Sequence, residues 1–190
     1  MALLKIARMG HPVLVRRAEE VADPTARDVR RLIEDMIETM EDAEGVGLAA
    51  PQVHIGRRVI IFKAPPGRAG ADEDPTAVTQ LTALINPVIE PLGNEMVDGF
   101  EGCLSIPGLT GVVPRYNRIL YRGFAPNGAP IEREASGFHA RVVQHETDHL
   151  DGILYTMRMT DLRLLSFTDE LRRLAPADDE EAEAEGDDGG

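Results

Sequence analysis

The chain is poor in cysteine and in aromatic residues. Its 190 residues include one cysteine, Cys103, and no tryptophan. A single cysteine excludes an internal disulfide bond, and a cytosolic compartment is the natural expectation. No apolar run approaches membrane-spanning length, and the first residues lack the basic region, apolar segment and cleavage site of a signal peptide. We therefore expect a cytoplasmic protein that does not associate with membranes.

Basic residues are absent from the C-terminal end. The formal net charge is −13, and residues 178–190 carry eight acids and no base. We therefore predict a single domain over residues 1–175, followed by a disordered acidic tail over residues 176–190. We interpret the tail as a solubilising segment, with docking to a basic partner as the alternative. The acidic balance also argues against stable nucleic-acid binding.

What the sequence does contain is a HExxH motif, Gln144-His145-Glu146-Thr147-Asp148-His149. On a helix, His145 and His149 project from one face about one turn apart, so a single metal ion can take a nitrogen from each. Glu146 follows the first histidine, where its carboxylate can reach a water molecule on that ion. The motif predicts metal-assisted hydrolysis, although it also occurs by chance in ordinary core helices.

The flanking residues favour a buried helix here. Ser136 suits the N-cap, while Phe138, Val142 and Val143 form an apolar stripe and Gly152 suits the C-terminal end. Two buried imidazoles and a buried carboxylate need a partner, and a cation is the simplest one.

A third ligand has to come from elsewhere in the chain. His11 and His54 lie far upstream, and His139 precedes His145 by six residues, roughly 600° of helical rotation, which turns it away. Cys103 remains, in Glu101-Gly102-Cys103-Leu104-Ser105. A lone cysteine is often a buried apolar residue. Beside a HExxH helix we favour a ligand, because a thiolate and two imidazoles leave one tetrahedral position open for water.

Periodicity gives the remaining elements. Helical spacing predicts a helix over residues 24–43, with Asp23 as N-cap and Pro24 in its first turn, and a last amphipathic helix over 161–174. We interpret 45–52 and 64–79 as loops. Extended segments are expected at 58–62, 83–90, 96–101, 112–124 (with a bend near Pro114) and 130–135. The expected fold is α+β: antiparallel β-sheets packed around a central metal-binding HExxH helix, with an N-terminal helix and a short C-terminal helix.

Three motifs taken together resemble those of the peptide deformylases, in the same order. They are Gly45-Val46-Gly47-Leu48-Ala49-Ala50-Pro51-Gln52, the cysteine motif and the HExxH motif, and the resemblance covers roughly residues 3–159. It implies a hydrolase that removes the N-formyl group from the initiator methionine of new polypeptides and releases formate. Its partners would be N-formylmethionyl peptides, with transient ribosome proximity. Thr110 departs from the family, since several members carry arginine there, and the acidic tail replaces a basic helix that docks some members on the ribosome.

The resemblance also implies roles for individual residues. Cys103, His145 and His149 would hold iron(II) in the cell, which zinc, nickel or cobalt can replace. Glu146 would carry the proton from water to the departing amine, and the side-chain amide of Gln52 and the backbone N–H of Leu104 would hold the oxyanion.

Substrate contacts are expected around the same motifs. Gly45 and Gly47 would let the substrate backbone approach and pair with the strand edge, and Gly102 is grouped with them. Val46, Phe138 and Val142 are candidates for the methionine pocket, with plain core as the alternative. Glu101 and Arg115 are expected to form an ion pair that braces the cysteine loop, unless Glu101 is simply a surface carboxylate.

Two other functions share parts of this pattern. A zinc endopeptidase also carries HExxH, but it usually has a further ligand downstream, and only Asp151 follows, two positions after the motif. A non-enzymatic metal-dependent binding module would not need Glu146.

Overall fold

The structure, a computed structural model, describes residues 2–68 and 76–174. Its α-helices are α1 (Arg27–Asp42), α2 (Gly137–Leu150), α3 (Tyr155–Arg158) and α4 (Thr168–Leu174). Its strands are β1 (Gly47–Ala49), β2 (Val59–Ala64), β3 (Thr79–Pro91), β4 (Met96–Cys103), β5 (Ile106–Tyr116), β6 (Arg118–Phe124), β7 (Pro130–Ser136) and β8 (Leu165–Phe167). Short 3-10 turns lie at Pro12–Val15, Ala50–Val53, Pro66–Arg68 and Leu162–Leu164.

The strands form two antiparallel sheets. One sheet has five strands in the order β1-β2-β3-β6-β7, and the other has three in the order β4-β5-β8. Helices pack against this framework, so the expectation of a mixed fold with antiparallel sheets is confirmed.

Strand β2 explains how the five-stranded sheet holds two helices. Successive side chains of a strand point to opposite faces, and β2 is apolar on both. Val59 and Ile61 pack in one cluster with α1 residues, while Ile60 and Phe62 pack in another with α2 residues such as Val143. Helix α1 therefore covers one face of the sheet and α2 covers the other.

Helix α2 is buried along most of its length. Every residue from 139 to 150 is buried, because the helix contacts strands of both sheets, including β1, β2 and β5. A helix covered on several sides needs partners for its polar side chains as well as its apolar ones.

The first helix begins later than the sequence predicts. Helix α1 starts at Arg27 with Ala26 as N-cap, three residues after Pro24. Asp23 does not cap it, because its carboxylate accepts hydrogen bonds from the backbone N–H and hydroxyl of Thr25 and closes a separate turn. Its other end is close to the prediction, since the helix ends at Asp42.

Two segments interpreted as loop or helix contain strands instead. Within residues 45–52, Gly47–Ala49 forms β1, which is too short to show an alternating pattern. Residues 161–174 do not form one helix: a 3-10 turn capped by Asp161 is followed by β8 and then α4. Strand β8 forms because β5 has a free edge opposite β4, and residues 165–167 pair with residues 109–111 there.

The expected extended segments are present with shifted boundaries. The segment 112–124 is two strands in different sheets, and the break falls at Asn117 rather than near Pro114. Pro114 lies inside β5, and it is tolerated there because β8 pairs only with residues 109–111 and leaves this part of β5 at a sheet edge. The predicted starts of β4 and β7 are correct, and the other ends of β2, β3, β4 and β7 differ from the predictions by one to four residues.

Two predicted segments fall outside the description. The acidic tail, residues 176–190, and residues 69–75 of the predicted 64–79 loop lie outside the described residues. Within the described part of the chain, no helix is both long and apolar enough to span a membrane.

His139, excluded above as a ligand, is a fully buried residue in the first turn of α2. Its Nδ1 lies 2.7 Å from the carbonyl oxygen of Thr76, so Nδ1 donates, and Nε2 then accepts from the hydroxyl of Tyr121 at 3.3 Å. Burial lowers the pKa of His139 from 6.5 to about 4, with Arg133 acting in the same direction and the Thr76 carbonyl opposing it. His139 is therefore neutral in the folded protein at neutral pH.

This depressed pKa predicts a pH-dependent loss of stability. Between pH 6.5 and about 4 the unfolded chain binds a proton at His139 that the folded protein rejects, so its contribution is complete above pH 6.5 and decreases as the pH falls. We expect the free energy of unfolding of wild type to fall by about 2 kcal/mol more than that of His139→Asn between pH 7 and pH 5. Urea titrations of both proteins at several pH values measure this difference, and parallel pH profiles would contradict the assignment.

Candidate active site

Two distant parts of the chain bring a sulfur atom and two imidazoles together. The side-chain ligand atoms of Cys103, His145 and His149 all lie within 4.8 Å of one another. The Cys103 Sγ is 3.3 Å from the His149 Nε2. The remaining histidines do not join this group, as the sequence predicts: His139 is bonded elsewhere, and the rings of His11 and His54 pack edge to face with centroids 4.7 Å apart.

Helix α2 supplies both histidines from adjacent turns, and their ring centroids are 5.0 Å apart. Ser136 is the N-cap, as predicted, but its side chain makes no capping hydrogen bond, and its hydroxyl accepts from the hydroxyl of Thr76. Gly152 follows the helix with a φ of 74°. A Cβ there would also meet the backbone of Val15 at 2.7 Å, so both the conformation and the close approach require glycine.

Strand β4 ends at the cysteine in an irregular way. Gly102 pairs with Thr110, but Cys103 pairs with Ile106, so the register shifts between these two residues. A shift of this kind re-aims a side chain at a sheet edge. The Cys103 Sγ accepts from the backbone N–H of Ser105 and from the Nε2 of Gln52, each at 3.4 Å. These two hydrogen bonds fix the position of the sulfur.

A buried carboxylate connects the strands to the helix. Glu101 accepts from the Nε and Nη2 of Arg115 at 2.8 and 2.9 Å, which confirms the predicted ion pair. It also accepts from the Nη1 of Arg141 at 2.9 Å and from the Nδ1 of His145 at 2.8 Å. Burial alone would raise the pKa of Glu101, but the hydrogen bonds from Arg115 and His145 outweigh it and lower the pKa to about 2. Since its Nδ1 donates to this carboxylate, His145 presents its Nε2 to the cluster.

The pKa values of the two histidines of the cluster shift in opposite directions. Burial opposes charge on His145, yet the neighbouring Cys103 and Glu101 raise its pKa well above the usual value. Burial, and then the proximity of His145, lower the pKa of His149. The Nδ1 of His149 is buried without a hydrogen-bond partner among the described residues. One sulfur and two imidazole nitrogens that lie within 4.8 Å of one another form a donor set that fits a cation.

Glu146 lies beside this cluster with one oxygen free. Its Oε2 is buried and has no hydrogen-bond partner in the part of the chain that the structure describes. Burial raises the pKa of Glu146 to about 7. A carboxylate without a fixed partner can take up a proton where a reacting group arrives.

The side-chain amide of Gln52 is held in one orientation. Its Oε1 accepts from the backbone N–H of Ala49 at 2.8 Å. Its Nε2 therefore points to the other side, where it lies 3.4 Å from the Cys103 Sγ and 3.2 Å from the Ser105 hydroxyl. The amide donor is thus fixed next to the sulfur.

A cavity of about 440 Å³ opens next to the cluster. Its lining contains every predicted substrate and catalytic residue, namely Gly45, Val46, Gly47, Gln52, Gly102, Leu104, Phe138, Val142 and Glu146. Cys103 and His145 also reach it, whereas His149 is fully buried behind the wall. The predicted residues are therefore brought together in one place.

Three residues of the site were not singled out from the sequence. Arg141 donates to Glu101 and to backbone carbonyls of β4 and β5, and Ser105 contacts both Gln52 and Cys103. The ring of Tyr155 stacks on His145 with centroids 6.2 Å apart. A charged residue one turn before His145 in a buried helix is a signal that could have indicated Arg141. No sequence pattern indicates Tyr155, which arrives through the turn after α2.

Comparisons with known proteins agree on one family. The family model described as polypeptide deformylase matches residues 3–164. Peptide deformylase 1 of Bordetella pertussis is 53% identical over 167 residues, covering 87% of this chain and 93% of that protein. The crystal structure of peptide deformylase from Ehrlichia chaffeensis has a TM-score of 0.79 at 32% identity, covering 85% and 90% of the two chains. The Met-Ala-Ser-bound class I type b peptide deformylase of Acinetobacter baumannii has a TM-score of 0.75 at 35% identity, covering 83% and 99%.

These matches extend over most of the chain and include the three motifs that surround the cavity. A relative at 53% identity over 87% of the chain shares far more than a fold. The chain therefore belongs to the peptide deformylase family, the metal-dependent hydrolases that remove the N-formyl group from newly made polypeptides.

Proposed function

We propose that Cys103, His145 and His149 hold one divalent cation in this deformylase, so that α2 acts as a central metal-binding helix. The close approach of one sulfur and two imidazole nitrogens supports this assignment. Three protein donors leave one coordination position for a reacting molecule, as in catalytic sites. Donors of this softness suit iron(II), zinc, nickel and cobalt, and the affinity order favours zinc over iron(II). The family resemblance favours iron(II) in the cell, with the other three able to replace it.

Glu146 carries the proton in the proposed reaction. When bound, the cation supplies a Lewis acid that polarises the formyl group and acidifies water. The unpartnered Oε2 of Glu146 takes a proton from the water molecule that attacks the formyl carbon. The carbon–nitrogen bond then breaks, formate leaves, and Glu146 gives the proton to the amine nitrogen of methionine. The free oxygen supports this role, since a carboxylate locked in an ion pair could not exchange a proton so easily.

Gln52 and Leu104 stabilise the oxyanion that forms during the attack. The amide of Gln52 is already oriented by Ala49, so its Nε2 faces the side of the site where Cys103 lies. The backbone N–H of Leu104 follows Cys103 directly in the chain and supplies the second donor. Deleting one such donor costs about 3 kcal/mol of transition-state stabilisation in other hydrolases.

The cavity binds the formylmethionyl end of the substrate. Val46, Phe138 and Val142 form the apolar wall for the methionine side chain, and Gly45, Gly47 and Gly102 flank the path of its backbone. The A. baumannii relative bound to Met-Ala-Ser supports this choice, because that tripeptide has the chemistry of a deformylated product.

The substrate also determines where the enzyme works. N-formylmethionyl chains are its partners, so we place it in the cytoplasm, in transient proximity to ribosomes. The net charge of −13 argues against stable binding to nucleic acid.

We predict that Glu146→Ala retains its metal but loses nearly all deformylase activity, because the proton carrier is gone. Formate release from formyl-Met-Ala-Ser measures the activity, and anaerobic metal analysis measures the content. Glu34→Ala, an exposed carboxylate on α1, is the matched control and should behave as wild type. Full activity in Glu146→Ala would refute the role of Glu146.

Removing the thiol of Cys103 should instead lower the affinity of the protein for its metal. We expect Cys103→Ala to bind the cation at least about a hundredfold more weakly, since loss of an outer contact alone commonly costs 10–100-fold. Metal retained after anaerobic dialysis provides the measurement. His139→Asn, on the same helix but outside the cluster, should retain its metal, and stoichiometric metal in Cys103→Ala would exclude Cys103 as a ligand.

We further propose that residues 1–175 form the catalytic domain and that residues 176–190 are a solubilising tail. Deleting residues 178–190 removes eight acids and no base, and none of the residues assigned to the site. Turnover of short formyl peptides should therefore stay within about twofold of wild type, while solubility near the isoelectric point decreases. A large fall in turnover would show that the tail takes part in catalysis.

A further inference from the structure

Strand β1 passes unusually close to the side chain of Glu146. A Cβ placed on Gly47 would lie 2.7 Å from the Cδ and 2.9 Å from the Cγ of Glu146, and closer still to its Oε1. Ordinary contacts to a Cβ lie between 3.4 and 4 Å. The carboxylate of Glu146 therefore occupies the space where any other residue at position 47 would have its side chain.

Of the two partners, strand β1 is held more firmly than the carboxylate. The carbonyl of Val46 accepts from the backbone N–H of Lys63 at 2.8 Å, and β1 continues in register with β2, pairing Gly47 with Phe62. Glu146 lies in the wholly buried part of α2. A side chain at position 47 would push the carboxylate rather than the strand, because the strand is held by backbone hydrogen bonds and the carboxylate only by torsion angles.

Backbone conformation does not explain why position 47 is occupied by glycine. Gly47 is not among the residues with positive φ, so its backbone conformation is open to other amino acids. Because the carbonyl of Val46 accepts from the N–H of Lys63 on β2, alternation along the strand turns the N–H and C=O of Gly47 away from β2. An alanine would keep both groups, so pairing with a substrate backbone does not require glycine either.

The neighbouring motif glycines lack this contact. A Cβ on Gly45 would meet the Cδ1 of Leu104 at 3.0 Å and the Cγ and carbonyl oxygen of Met40 at 3.2 and 3.4 Å, none of them an atom of Glu146. A Cβ on Gly102 would meet only a carbonyl oxygen at 3.7 Å. Among these three glycines, Gly47 alone touches the carboxylate.

We propose that Gly47 is a positioning residue that acts through Glu146: the missing side chain at the edge of β1 fixes where the proton-carrying carboxylate sits. The inference rests on the proposed role of Glu146 and adds a requirement to it. Restoring ordinary contact would displace the carboxylate by about 1 Å, and an error of that size at a reacting group costs about a hundredfold in rate.

The full-length, metal-loaded Gly47→Ala variant tests this proposal. We expect kcat for formate release from formyl-Met-Ala-Ser to fall about a hundredfold, while KM stays within about threefold and the metal content stays at wild-type level. Gly56→Ala is the matched control, because a Cβ there meets nothing within 4 Å and its φ is not positive. An unchanged kcat, or a raised KM with wild-type kcat, would overturn the proposal.

A double-mutant cycle of stability distinguishes displacement of the Glu146 carboxylate from a general folding defect. Gly47→Ala should lower the urea midpoint in the wild-type background, whereas in the Glu146→Ala background the same substitution should leave it unchanged, because the colliding carboxylate is absent. An equal loss in both backgrounds, or a double variant that does not fold, would assign Gly47 a backbone role and overturn the proposal.

The two hypotheses fail in different ways. An active Glu146→Ala enzyme would refute the role of Glu146 and this inference with it. An inactive Glu146→Ala enzyme beside a fully active Gly47→Ala enzyme would refute this inference alone.

Discussion

The arrangement of the site depends on the buried carboxylate of Glu101. It lies on β4 and accepts from Arg115 on β5 and from Arg141 and His145 on α2. Arg115 reaches on to Asp148, again on α2, so the two strands and the helix are joined by charged hydrogen bonds. Leaving one member of such a buried group unpaired costs about 3–5 kcal/mol, so the group accepts few alternative arrangements. Its value lies in this specificity, since an apolar substitute of equal volume is often as stable.

Helix α2 carries buried polar side chains of two kinds, those with hydrogen-bond partners and those without. Gln144 exchanges two hydrogen bonds with the backbone of Tyr116, and Arg141 is bonded to carbonyls of both neighbouring strands. Among the described residues, the buried side-chain atoms without a partner belong to Glu146, Thr147, His149 and Tyr155. All four lie in the HExxH segment or stack on it. Unsatisfied buried groups are expected where a protein binds or transforms something, because a ligand can complete them.

The sequence was sufficient for most of the site and less so for the fold around it. HExxH spacing on a helix has a fixed geometric meaning, so the approach of His145 and His149 follows from the helix itself, and elimination then left Cys103. The location of β1 could not be predicted, because three residues show no periodicity and their pairing with β2 is a tertiary event. For the same reason the sequence predicts a helix where β8 forms: leucine and phenylalanine suit either element, and the free edge of β5 decides between them. Arg141 and Tyr155 likewise gain their meaning only from contacts between elements distant in sequence.

Rigidity and catalysis place opposite demands on Glu146. A buried carboxylate with a free oxygen costs about 1–3 kcal/mol relative to a satisfied one, so local energetics would favour a partner or an outward rotation. Glu146 gains no partner among the described residues and does not rotate outward, because strands of both sheets contact α2 and the backbone of Gly47 on β1 lies directly against its side chain. The β1–β2 pairing and the charged hydrogen bonds around Glu101 are stable parts of the fold, and they hold the energetically unfavourable carboxylate of Glu146 in position. A carboxylate that is held in place but not hydrogen-bonded stays available to a proton. Its position follows from the packing of β1 and α2 around it rather than from any hydrogen bond that Glu146 itself makes.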